Sequence, residues 1–149
     1  MHLLAAKLGQ PRTLRVGFLS SGTYPDGTSV AMVAAIQNFG APSRGIPPRP
    51  FMSNAVAKNS PSWPKGIATQ LKANGNDVDN ALEVTGDLIR YQIQEEIRAT
   101  NAPPLAESTL RRRGYTGGPY DAKDAATFGA KPLIRSGHML NSVDKEIVS

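Results

Sequence analysis

The chain has 149 residues, 40% hydrophobic and 19% charged, which is enough apolar content and length for one domain with its own core and excludes a fully disordered polypeptide. It has no cysteine, so disulfides and thiolate metal sites are excluded, and His2 and His138 alone cannot furnish a His-rich zinc centre. The formal net charge of +5 favours polyanionic neighbours, while the apolar run in "MHLLAAKLGQP" falls well short of the roughly 20 residues that a membrane helix needs, so a soluble chain is expected.

Near the start, "TLRVGFL" alternates Leu14, Val16 and Phe18 with Arg15 and Gly17, the period of a strand with one wet face. "SSGTYPDGTS" is dense in turn formers, and Pro25, Asp26 and Gly27 suit a tight reversal. It lacks the lysine and glycine spacing of a phosphate-binding loop, so a hairpin or connecting turn is expected. Thr28 or Ser29 can cap a helix over "VAMVAAIQNF", with Val30, Val33, Ala34, Ile36 and Phe39 as its apolar stripe and Gly40 as a left-handed stop.

The strap "GIPPRPF" follows, and its three prolines remove backbone donors and force extended geometry, so it is neither helix nor central strand. After Phe51 the segment through Lys58 has modest helical character. Ser62 is a candidate cap for "WPKGIATQLKANG", in which Trp63, Ile67 and Leu71 recur at four-residue intervals and Gly75 ends the helix. The longest helix is read over "DVDNALEVTGDLIRYQIQEEIRAT", capped by Asn76, with Val78, Ala81, Leu82, Leu88, Ile89, Ile93 and Ile97 as one stripe. Glu95 and Glu96 point about 100° apart on that helix, so they belong to a solvated face and form no catalytic pair.

Beyond Pro104, a short helix from about Glu107 ends in Arg111, Arg112 and Arg113, and a Gly-rich stretch over about 114–130 reads as a loop or insertion. A turn at Ser136 and Gly137 leads to one helical turn through Leu140 and a closing strand in which Val143, Lys145 and Ile147 alternate with Asp144, Glu146 and Val148. Pairing of this strand with "TLRVGFL" gives the expected class: α+β, an antiparallel sheet with helices packed on one face, and long loops or arms in keeping with 14 Gly and 12 Pro. The sequence contains no nucleophile elbow, Rossmann fingerprint, zinc-finger spacing or repeat. No catalytic, cofactor or metal site is expected, and His138 reads as structural or surface.

Taken in order, "LRVGFLSSGTYPDGTSVAMVAAIQNFGAPSRGIPPRPF", "PPLAESTLRRR" and "KPLIRSGHMLNSV" resemble the neck or tail-completion proteins of tailed bacteriophages. The matching positions are Val16 and Gly17; Phe39 and Gly40; Ile46, Pro47, Arg49, Pro50 and Phe51; and Pro132, Leu133, Ser136, Gly137 and Met139. The chain departs from the family pattern at Asn38, where Glu is more usual, and at Ser136, which stands for Thr. The resemblance implies a single domain over 1–149 that acts as a structural part of the virion neck, made in the bacterial cytoplasm. Its partners would be itself in a ring, hexameric or twelvefold, portal-side head-connector proteins, and tail-terminator or tail-tube proteins. Genomic DNA would pass through the channel without sequence-specific contact, and no membrane or cofactor is implied.

Two residue groups carry the interaction expectation. Ile46, Pro47, Pro48, Arg49, Pro50 and Phe51 form a stiff strap suited to a subunit contact, because little ordering entropy is lost when it binds. One alternative is that the prolines steer the chain into the next helix and Phe51 is an ordinary core anchor; another, an SH3-type ligand from the Pro47-x-x-Pro50 match, is disfavoured because the stretch is embedded in a folded domain. Arg111, Arg112 and Arg113 are candidates to line a DNA channel, with a solvated helix end or contact with an acidic neighbour as the alternatives. A sequence-independent nucleic-acid-binding protein is the competing class.

Overall fold

A computed structural model describes residues 11–19, 21–100 and 138–148. Strands β1 (Thr13–Phe18) and β2 (Val143–Val148) pair antiparallel, with Thr13 opposite Val148 and Phe18 opposite Val143. The first and last readable strands therefore meet as their patterns predict. Alternation turns Leu14, Val16 and Phe18, with Ile147, Lys145 and Val143 across from them, toward the helices. Arg15 and Glu146 sit opposite one another on the other face, and Arg15 donates to the Glu146 carboxylate at 3.5 Å.

The helices are α1 (Val30–Phe39), α2 (Phe51–Asn59), α3 (Trp63–Ala73), α4 (Val78–Ala99) and the single turn α5 (His138–Asn141). Short 3-10 turns lie at Pro42–Arg44 and Ser60–Ser62. The architecture is α+β, with α4 as its spine: it packs against both strands, α2 and α3. Its buried stripe is Ala81, Leu82, Thr85, Gly86, Ile89, Ile93 and Ile97. Gly86 is what lets the sheet lie this close, since a Cβ there would stand 2.8 Å from Lys145 Cδ and 3.0 Å from Leu14 Cδ1.

The core gathers Val30 and Ala34 of α1, Phe51 and Ala55 of α2, Ile89, Ile93 and Ile97 of α4, and Met139 and Val143. Phe18 meets Phe51 edge to face at 6.0 Å, the geometry that aromatic quadrupoles favour. Trp63 packs at the margin of this cluster and donates its indole N–H to Gln92 at 2.9 Å. His138 sits beside Tyr24, and its Nε2 lies 2.7 Å from the Thr23 carbonyl, tying α5 to the turn that follows β1.

Local details correct the sequence reading in four places. Asp77, not Asn76, caps α4, its carboxylate accepting from Asn80 N–H at 3.0 Å, while Asn76 takes a left-handed φ of 64° in the preceding turn. Ser62 precedes α3 as expected but makes no capping bond, because its hydroxyl donates to the Asn59 carbonyl. Leu88 is displaced from the core stripe of α4, since it and Ile89 diverge by about 100° and the sheet takes the Ile89 side. On α1 the buried line is Val30, Ala34 and Asn38, so Phe39 faces outward.

Candidate interaction surface

The strap is built onto the end of α1. Ser29 caps α1 by accepting from Met32 N–H, and Gly40 stops it with φ 77° and ψ 173°, a positive φ but not the left-handed helical geometry anticipated. Ala41 and Ile46 then exchange both backbone hydrogen bonds, at 2.8 and 3.1 Å, closing a small hairpin around the Pro42–Arg44 turn. Arg49 N–H donates to the Gln37 carbonyl at 2.7 Å, which folds the strap back over the last turn of α1. This return path runs so close to Gly40 that a Cβ there would stand 2.8 Å from Pro48 N and 3.0 Å from the Ile46 carbonyl.

Asn38 locks the other end. Helix α2 begins after Pro50, whose ring has no side-chain acceptor to cap it, so its first amides need a donor-satisfying group from elsewhere. The buried Asn38 carboxamide oxygen accepts from Met52 N–H at 3.0 Å and Ser53 N–H at 3.1 Å, and its NH₂ donates to Ser53 Oγ at 3.0 Å. An α1 side chain thereby caps α2, with the strap clamped between the two helices. Glu, more usual at this position in the resembled pattern, has an oxygen acceptor but no NH₂ to donate.

The strap residues divide by burial. Phe51 is 1% exposed and fills the core, and Arg49 is buried, with its guanidinium donating to Gln37 Oε1 at 3.4 Å. Neither side chain is presented on the outer surface. Ile46 and Pro47 are half-buried, and Pro48 and Pro50 are exposed, so the strap's outer surface consists of proline rings. Arg111, Arg112, Arg113, the 114–130 stretch and the Pro132 to Gly137 matches lie outside the described residues.

Beside the strap, α1 and α2 leave an open groove of about 570 Å³. Its lining carries no charged side chain: Ala31, Ala35 and Ala57 keep it wide, Phe18, Phe51, Met52 and Val56 make it apolar, and Phe39 stands on its rim, 74% exposed. Asn38, its side chain held inward by its bonds to α2, leaves its neighbour Phe39 facing outward, and Gly40 turns the chain away. Such a surface can bind apolar protein or ligand surface and offers nothing to phosphates.

A second exposed apolar feature lies on α4, where Val84, Leu88 and Tyr91 face solvent. Sequence reading missed it by assigning Leu88 to the core. The signal was present, for an apolar set wider than one stripe on a 22-residue helix demands two faces.

Acidic and basic groups are mostly paired on the surface. Lys58 bonds Glu96 at 2.9 Å, Arg12 meets Asp79 at 3.2 Å and Arg98 pairs with Glu95. Asp26 accepts from Thr28 N–H in the reversal after β1, and that hydrogen bond holds its carboxyl below the usual range. Burial, followed by the Asp26 charge, pushes the Tyr24 phenol up. Among the described residues no three acidic or histidine side chains gather to hold a metal ion, and no helix is long and apolar enough to cross a membrane.

Comparison with protein-family models, curated proteins and solved structures finds no match to this chain.

Proposed function

We propose that this chain is a structural protein of the phage neck, which joins the head connector to the tail as a ring and leaves a channel for DNA. The observation that carries this reading is the surface beside the strap. The residues that resemble the tail-completion pattern, Phe39, Gly40 and the strap from Ile46 to Phe51, form one rigid unit whose outer side is uncharged and apolar. A surface of that kind suits a protein partner. Its internal bonds mean that docking orders little chain, which favours a permanent joint.

In this reading the protein acts by fitting against copies of itself, portal-side connector proteins and tail-terminator or tail-tube proteins, without making or breaking a covalent bond. Buried Phe51 and Arg49 hold the strap in place, and the exposed Pro48 and Pro50 rings make its contacts. The direct test is quantitative protein analysis of purified particles. The chain is expected there at a fixed ring copy number, and its absence from intact particles would sink the proposal.

The net charge of +5 favours a second reading, a protein that binds nucleic acid regardless of sequence. That reading requires duplex binding by the isolated chain with a steep loss on adding salt. The neck reading requires only weak attraction, because DNA must slide past.

A further inference from the structure

A cavity of about 670 Å³ is lined by β1 and by α2, α3 and α4. Trp63 and Ile67 of α3 and Leu82, Ile89 and Ile93 of α4 make it apolar, and no acidic side chain is among its described lining. Arg12 and Thr13, where the chain enters β1, line its strand side. Arg12 Nε pairs at 3.2 Å with Asp79 in the first turn of α4, which pins this entry point.

Residues 1–10, "MHLLAAKLGQ", lie outside the described residues and join the chain at Pro11, one position before that pin. We propose that this segment turns back at Gly9 to Pro11 and seats Leu3, Leu4 and Leu8 in the cavity, so that the occupant is the chain's own N-terminal stretch.

Attachment, reach and composition select this occupant. The segment is tethered at the cavity's own strand side, and a short tether gives an effective concentration on the order of millimolar, against which any free apolar partner must compete. The α4 wall from Leu82 to Ile93 spans about 16 Å, while ten residues reach roughly 15 Å as a helix and roughly 30 Å or more when extended. Gly9 and Pro11 are turn formers, and Pro11 has no donor to commit to a continuing strand. The segment's leucines and alanines match the apolar walls, and Lys7 can lay its stem along them with its amine in water. This seating is internal to one chain and holds whether or not copies assemble into a ring.

Trp63 is the protein's one tryptophan and the chain has no cysteine, so a reporter pair can be placed without background. The test is Trp63 emission from the full chain carrying Ala6→Cys labelled with a nitroxide, a contact quencher of indole, against the same variant unlabelled, with helical circular dichroism as the control for folding. The labelled chain is expected to lose most of its Trp63 emission, and to the same degree at every protein concentration. Adding Leu4→Asp and Leu8→Asp to the labelled chain should restore that emission with helical content retained.

Full emission from a labelled, folded chain would overturn the seating. Quenching that fades on dilution would mean that a neighbouring copy supplies the segment, and would overturn its origin in the same chain. Quenching that survives the two aspartates would overturn the leucines as its anchor.

Discussion

At the scale of single residues, Asn38 shows how a polar group becomes structural. It is buried, yet its acceptor meets two amides and its donor meets Ser53, so its desolvation is compensated. Asn38→Ala leaves the α2 amides without their acceptor and is expected to cost about 1–2 kcal/mol in denaturant unfolding, the range of a lost helix cap. Gly40→Ala is more damaging. The new Cβ meets backbone atoms of the strap rather than a flexible side-chain end, and the positive φ adds strain. A loss of about 2–3 kcal/mol is expected, measured in the same way. By contrast, Phe39→Ser removes a ring that is 74% exposed and should leave unfolding within about 0.5 kcal/mol of the wild type. That contrast separates the residues that build the strap from the one that projects beside it.

At the scale of elements, the join between sheet and helix depends on Gly86 and Lys145. Lys145 occupies the helix-facing side of β2, where a wholly apolar strand would carry another aliphatic residue. Its amine donates to Asp87 at 2.8 Å and to the Glu83 carbonyl at 3.0 Å, and it also pairs with the Glu83 carboxylate. These bonds, Asp87 first and Glu83 next, raise the Lys145 pKa. A raised folded value contributes stability that is complete below the unfolded pKa of about 10.4 and lost as pH rises through the folded value. The Tyr24 shift has the same sign. The melting temperature is therefore expected to fall on the alkaline side. In Lys145→Met that fall should be shallower but still present, because Tyr24 continues to contribute. The charged middle of β2, Asp144, Lys145 and Glu146, also discourages another strand from adding to its edge.

For the whole molecule, one long helix supports two short strands on one side and two helices on another, and this arrangement divides the apolar residues into those it consumes and those it leaves open. α4 cannot turn both of its apolar faces to one sheet. The inner face is used by β1, β2, α2 and α3, and Val84, Leu88 and Tyr91 remain outside. α1 and α2 are joined at one end by the strap and the Asn38 bonds, and the groove is lined by both. In the proposed neck reading these open surfaces are the candidates for contact with partners. If the chain assembles as the proposed ring, increasing salt should strengthen association of copies that each carry +5, because screening weakens their mutual repulsion. Sedimentation at low and high salt checks this, and weakening by salt would point instead to charge pairing across the interface.

Within the described residues, the strands, the main helices and the pairing of the two strands were legible from the chain alone. Period-two alternation marked both strands, period-3.6 stripes marked the helices, and the turn residues placed their boundaries to within a residue or two. These signals are local, so one chain suffices to read them. Packing across the fold set which of two neighbouring apolar residues, Leu88 or Ile89, is core, and that Phe39 points out while Phe51 points in. It also assigned Asn38 as the cap of a helix that begins thirteen residues later in the chain, and made Gly40 the point where the strap passes closest. Those outcomes depend on what lies across from a side chain, and spacing along the sequence does not encode the identity of a distant neighbour.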